Sequence, residues 1–157
     1  GLSEDIVHAS RDIVLLADLI IPNLTELSLI LGKDYKKNMT HEEITSWLEE
    51  LKSRGVKSSV VTSVHIDKRH FVYGYGEDKE IFRVEYRHIP MEIGGSGDLF
   101  TSLLIGRMKK DFQLKESIEY ATKVLSHIIE EEHKSTKSNY EMEVEIEKYL
   151  QYIYENM

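Results

Sequence analysis

The sequence predicts an α/β layered fold, and three observations predict it. A helical segment followed by a short apolar, β-branched run occurs twice, first ending in Ala17–Ile21 and then in Val56–Ser63. A glycine-rich turn at Gly94–Gly97 opens directly into an apolar helical pattern. Of the 157 residues, 41% are hydrophobic, enough for a continuous core in a chain of this length. With no internal repeat, low-complexity tract or long linker, the chain reads as one domain.

Taken in order, Ser3 with Asp5-Ile6-Val7 reads as a capped helix start running to about Leu16. Ala17-Asp18-Leu19-Ile20-Ile21 is a brief buried strand, ended by Pro22, which cannot donate to a ladder. A helix from about Thr25 carries Leu27, Leu29, Ile30 and Leu31, and Gly32 suits its C-terminal cap. Thr40 and Glu43 form a capping box. The helix they start puts Ile44, Trp47, Leu48 and Leu51 on one face and stops at Gly55. Trp47 therefore belongs to the core.

Val56–Ser63 has the composition of a buried parallel strand. His70–Tyr75 and Ile81–Tyr86 flank Gly76-Glu77-Asp78-Lys79 and predict an antiparallel hairpin, with Tyr73 and Tyr75 packed within it. Helices follow over Asp98–Met108 and from Leu114 to about Glu132, then a polar loop over Lys134–Asn139. Glu141–Ile146 alternates strictly and predicts an edge strand, with a terminal helix after it.

A net charge of −8 argues against nucleic acid or an anionic membrane as the main partner. It leaves a phosphate ligand open, because backbone donors at a helix start bind phosphate whatever the net charge. There is no cysteine, hence no disulfide framework, thiolate zinc site or thiol nucleophile, which fits a cytoplasmic protein. No apolar run approaches the roughly 20 residues of a membrane span, and the first residues have no signal-peptide pattern. The seven histidines show no metal-ligand spacing, with His127 and His133 six apart and no H-E-x-x-H. Glu130-Glu131-Glu132 reads as a solvated helix end.

The chemistry concentrates in Gly94-Gly95-Ser96-Gly97-Asp98-Leu99-Phe100. Three glycines in four residues let the backbone approach a ligand closely, and the following helix points free N–H groups and its positive dipole end into the turn. That is an anion hole. Asp98 stands at its mouth, where a carboxylate can take a proton from an attacking hydroxyl. The competing reading is a plain glycine turn with Asp98 capping the helix. It is no P-loop, since no Lys-Ser or Lys-Thr follows the last glycine.

Asn23 and Glu26, three apart after the first strand, share a face of a first helical turn. An amide and a carboxylate there could hold hydrated Mg2+, which prefers oxygen ligands and keeps several waters. The competing reading is an N-cap Asn supported by a Glu. Thr62 and Ser63 close the β-branched run with two hydroxyls, at a strand end where open α/β sheets bind ligands. Small polar residues also simply end strands.

In this order and spacing the segments resemble the pyridoxal kinase family of the ribokinase-like superfamily. Ala17–Glu26 is similar to the family's A-D-(I/L)-I-x-P-N-x-x-E stretch, Val60–Ser63 to its strand ending in Thr-Ser, and Gly95–Phe100 to its G-T-G-D-L-F signature. The likeness runs through nearly the whole chain, to Asn139-Tyr140-Glu141.

The resemblance implies a three-layer α/β/α sheet with a β-hairpin insertion, of which residues 1–157 are the C-terminal, ATP-binding and catalytic portion. It implies ATP-dependent phosphorylation of the 5′-hydroxyl of pyridoxal, pyridoxine or pyridoxamine, with Asp98 as general base. Gly95, Ser96 and Gly97 would stabilise the transferring phosphoryl. Asn23 and Glu26 would lie near Mg2+ and the ATP phosphates, with Glu26 the metal ligand. Thr62 and Ser63 would contact ATP, and Ile89, Pro90 and Met91 would line the nucleotide pocket. It implies a homodimer.

Two residues depart from the family pattern. Ser96 replaces Thr and keeps the hydroxyl, whereas Ile21 stands where relatives often carry Thr near a monovalent cation. The family's preceding half, which holds much of the vitamin pocket, has no counterpart, so the chain reads as a fragment. The rival readings are a hydroxymethylpyrimidine kinase, which typically carries Cys where this chain has Asp98, a sugar kinase, and a non-catalytic nucleotide-binding module.

Overall fold

The computed structural model describes residues 14, 16–87, 93–135, 142–143 and 146–157. The backbone divides into two compact units, Gly1–Glu85 and Tyr86–Met157.

In the first unit, α1 (Leu24–Leu31) and α2 (His41–Ser53) begin with reciprocal capping boxes, Asn23 with Glu26 and Thr40 with Glu43. α1 stops at Gly32, whose φ of 69° suits a left-handed cap. Arg54 then donates from its guanidinium to the Ile30 and Leu31 carbonyls, both at 3.1 Å, covering the helix end.

The sheet is a meander of β1 (Ser59–Ile66), β2 (Arg69–Tyr75) and β3 (Ile81–Tyr86), in that order. β1 and β2 pair antiparallel about the two-residue turn Asp67-Lys68, whose φ values of 47° and 65° are both positive, as a type I′ hairpin turn requires. Asp67 tolerates that region better than most residues.

Here the expected parallel strand over Val56–Ser63 is corrected. The strand starts at Ser59, runs on to Ile66, and has an antiparallel sheet neighbour in β2. Its parallel contacts are single bridges, Ile20 to Ser59 and Asn23 to Thr62. The expected strand over Ala17–Ile21 is reduced to those bridges; Pro22 has no N–H to give to the ladder, although its carbonyl still accepts from Thr62 and Asn23 pairs beyond it. Leu19, half-buried, and Asp18, exposed, form no ladder.

One face of β1 and β2 presents Val61, Val64, Ile66, Phe71, Tyr73 and Tyr75 to a core shared with Leu24, Leu27, Ile44, Trp47, Leu48 and Leu51. Gly74 is required on the other face. A Cβ there would stand 3.0 Å from the Phe82 ring and 3.0 Å from the Ser59 carbonyl oxygen. Leu29, placed by period on the helix face, is 50% exposed.

In the second unit, α3 (Ser96–Met108) packs on α4 (Leu114–Ser135) through Leu99, Phe100, Leu103 and Leu104 from one side and Ile118, Ala121, Val124 and Ile128 among the buried residues of the other. α5 (Leu150–Asn156) follows a 3₁₀ turn, Ile146–Tyr149, and is tied to α4 by the Tyr120 hydroxyl donating to the Ile153 carbonyl at 3.1 Å. The Arg107 guanidinium lies 3.5 Å from the Phe112 ring centroid and 5.0 Å from that of Tyr120.

Of the alternating Glu141–Ile146 segment, the described residues form the two-residue β5 (Met142–Glu143), parallel to β4 (Ile93–Gly94), with Ile146 already in the 3₁₀ turn. α4 runs on to Ser135, so Lys134 is helical rather than the start of a loop. The expected solvated run at its end is also corrected. Glu132 is buried and accepts from the Tyr149 hydroxyl at 2.5 Å. The expected first helix falls mostly outside the described residues, as do 136–139 of the expected loop.

Candidate functional site

The candidate residues fall in both units, and each group is described by itself. In the first, the Asn23 backbone N–H donates to Glu26 Oε2 at 2.9 Å, and the Glu26 N–H donates to Asn23 Oδ1 at 2.9 Å. The capping reading of this pair is therefore correct. It occupies one Glu26 oxygen and leaves the carboxylate exposed.

The structure also brings Asn23 to the middle of β1. The Thr62 N–H donates to the Pro22 carbonyl at 3.0 Å, and Asn23 and Thr62 form a parallel bridge. Ser63, next along, is exposed with φ 60° at the register shift between Val61 and Val64. A serine in the left-handed region costs on the order of 1–2 kcal/mol. Strain at a bulge inside β1, on an exposed serine rather than at the expected strand end, points to a functional role. Sequence reasoning placed Ser63 at the strand end but not its conformation, because nothing in Thr62-Ser63-Val64 announces a bulge.

The second group is the glycine turn. Gly95 is the N-cap of α3 with φ 78° and makes no side-chain cap bond. The Gly95 carbonyl accepts from Leu99 N–H at 2.9 Å, so the N–H groups of Ser96, Gly97 and Asp98 precede the helical ladder. Among the described residues a Cβ on Gly95 or Gly97 would meet nothing within 4 Å. The first turns of α1 and α2 are sealed by capping boxes, whereas the N-cap of α3 is a glycine with no side chain to cap it, and among the described residues no side chain accepts from its first N–H groups.

Asp98 lies in that first turn and is exposed. Its main-chain carbonyl accepts from Ser102 Oγ at 2.8 Å, and among the described residues its carboxylate has no partner. The cap is Gly95, so Asp98 is not held by capping. An uncommitted carboxylate beside free helix N–H groups can accept a proton next to a bound anion.

Ile89, Pro90 and Met91 lie outside the described residues. Among the described residues no group of three or more His, Asp or Glu could hold a metal ion.

The fold is ribokinase-like α/β. The chain belongs to the phosphomethylpyrimidine kinase family, which it matches over residues 2–143. It is 29% identical over 107 residues to a Caenorhabditis elegans protein described as "Putative pyridoxal kinase", covering 65% of this chain and 32% of the relative. A Bacteroides thetaiotaomicron crystal structure described as "a putative phosphomethylpyrimidine kinase" superimposes with a TM-score of 0.88 at 29% identity, over 97% of this chain and 53% of that one. The same protein has been crystallised with pyridoxal, and that form matches with a TM-score of 0.83 at 28% identity. Plasmodium falciparum PdxK with the ligands AMP-PNP and PL shares the fold, with a TM-score of 0.77 at 24% identity over 98% of this chain and 52% of that one. The chain thus spans about a third of the curated relative and about half of the solved structures.

Proposed function

We propose that the complete protein transfers the γ-phosphoryl group of ATP to the 5′-hydroxymethyl group of pyridoxal, pyridoxine or pyridoxamine. The observation that carries this reading is the α3 start at Gly95, with the Asp98 carboxylate exposed in its first turn and without a partner among the described residues. Asp98 takes the proton of the substrate hydroxyl as its oxygen bonds to the γ-phosphorus, and ADP leaves with the electrons of the broken P–O bond. The N–H groups of Ser96 and Gly97, with the dipole of α3, stabilise negative charge on the transferring group. Such chemistry demands positioning and charge stabilisation more than covalent work by the protein.

Asn23, Thr62 and Ser63 serve the nucleotide in this reading, and Glu26 holds Mg2+ through its remaining carboxylate oxygen and waters. The metal, when bound, neutralises phosphate charge. The Ile21 side chain has no oxygen to offer a monovalent cation. The Bacteroides relative crystallised with pyridoxal and the Plasmodium structure with AMP-PNP support the substrate pair.

The second reading, a hydroxymethylpyrimidine kinase, is favoured by the family description and by the name of the Bacteroides relative. The deciding experiment offers pyridoxal, hydroxymethylpyrimidine and ribose with ATP to the complete protein. Turnover confined to pyridoxal-type substrates supports the first reading. Turnover confined to hydroxymethylpyrimidine replaces it with the second, and ATP binding without any turnover makes the site a nucleotide-binding module.

A further inference from the structure

His65 and His70 are five apart in sequence, a spacing that suggests nothing on a helix. The Asp67-Lys68 turn makes them direct register partners across β1 and β2. In a two-residue hairpin the pair flanking the turn, here Ile66 and Arg69, exchanges the backbone bonds, and the next pair out is the non-hydrogen-bonded one whose side chains stand closest. The His65 carbonyl accordingly turns away from β2 and accepts from the Met39 N–H at 2.9 Å. The two imidazoles meet edge to face with ring centroids 4.3 Å apart and planes at 74°. Both are half-buried, and Ile66 and Phe71 beside them are anchored in the core.

We propose that this pair is a two-histidine site for a borderline divalent transition-metal ion such as Zn2+, separate in chemistry from the Mg2+ expected with ATP. Imidazole nitrogen suits Zn2+, Cu2+ and Ni2+, whereas Mg2+ takes oxygen. Two nitrogens held tetrahedrally at about 2.1 Å lie roughly 3.4 Å apart, comparable with the 4.3 Å between these ring centroids. Water completes the shell, since the described residues supply no third ligand. A bound ion clips β1 to β2 just beyond Thr62 and Ser63 on the same strand.

The test is calorimetric titration of chelator-treated complete protein with ZnCl2, alongside His65→Gln, His70→Gln and a His127→Gln control. The expected result is one histidine-dependent site, unmoved by His127→Gln and by millimolar Mg2+. Each pair variant should weaken it at least tenfold, since losing a direct ligand costs no less than the roughly 10- to 100-fold of losing a supporting group. Binding should fade as pH falls through the imidazole range, because protons compete for the ring nitrogens. Long-range 1H–15N spectra of the unsubstituted protein give a readout that needs no variant to fold. Zn2+ should shift ring nitrogens of His65 and His70 together. No Zn2+ binding, undiminished binding in either pair variant, or shifts confined to other histidines would each overturn the site.

Discussion

Asn23 and Glu26 satisfy each other's backbone N–H groups, both at 2.9 Å, at the start of α1. The same two residues are the proposed neighbours of Mg2+ and the ATP phosphates. Structural and functional roles therefore overlap in one pair, and a substitution has to separate them.

Glu26→Gln makes that separation. Glutamine still accepts from the Asn23 N–H, so the capping box survives and unfolding free energy should stay within about 0.5 kcal/mol. The lost charge should weaken the Mg2+ dependence of turnover on the order of tenfold. Glu26→Ala should show the same kinetic defect and lose helix stability as well. Thermal unfolding beside a Mg2+ titration of activity distinguishes them, and unchanged Mg2+ dependence in Glu26→Gln would remove Glu26 from the metal site.

Gly97→Ala tests the open turn. A Cβ there meets nothing within 4 Å, and alanine is the better helix former by up to about 1 kcal/mol. Stability should hold or rise. Turnover should nevertheless fall, by up to about a hundredfold, because the methyl group stands where the phosphoryl group must approach. Unimpaired kinetics would mean that the anion binds elsewhere.

Ser63 carries strain that a smaller residue relieves. At φ 60°, Ser63→Gly should raise stability by up to about 1 kcal/mol, while the β-branched Ser63→Val should lower it by at least about that much. If the hydroxyl also serves ATP, the glycine variant should show a raised KM for ATP despite its stability. Urea denaturation and an ATP titration read the two effects independently.

Tyr75 sets an alkaline limit. Burial pushes its hydroxyl up to about 12, and the same cause raises Tyr73, Tyr86 and Tyr120. An acid whose pKa is higher folded than unfolded keeps its proton in the native state after the unfolded chain has lost it. The associated stability is full below about pH 10 and is lost as pH rises towards 12. Urea midpoints should therefore fall across that window, and Tyr75→Phe should flatten the slope. It should also lower stability at neutral pH, where the hydroxyl donates to the Val56 carbonyl at 3.1 Å.

Local signals in the sequence were legible wherever the chain decides its structure locally. Thr40 and Glu43 announce their capping box, Gly32 its helix end, and Trp47 its place in the core. The second hairpin, β2 to β3, is written in its alternation. The first lacks a sequence signal because Asp67-Lys68 has no glycine of the kind that usually marks a type I′ turn, and the remaining clue was Val64 facing Phe71 across it. Glu132 was misread because its burial depends on Tyr149, 17 residues on, which no helical period reveals. The glycine turn was readable as an anion hole, but only the structure distinguishes a cap at Gly95 from one at Asp98.

The most direct test is steady-state kinetics of Asp98→Asn in the complete protein, with pyridoxal and ATP. The amide keeps the shape of the side chain and removes the base. With Asp98 as general base, kcat should fall by about 10²- to 10⁴-fold while ATP binding is retained. Turnover close to that of the unsubstituted protein would contradict the assignment and with it the mechanism built on the α3 start.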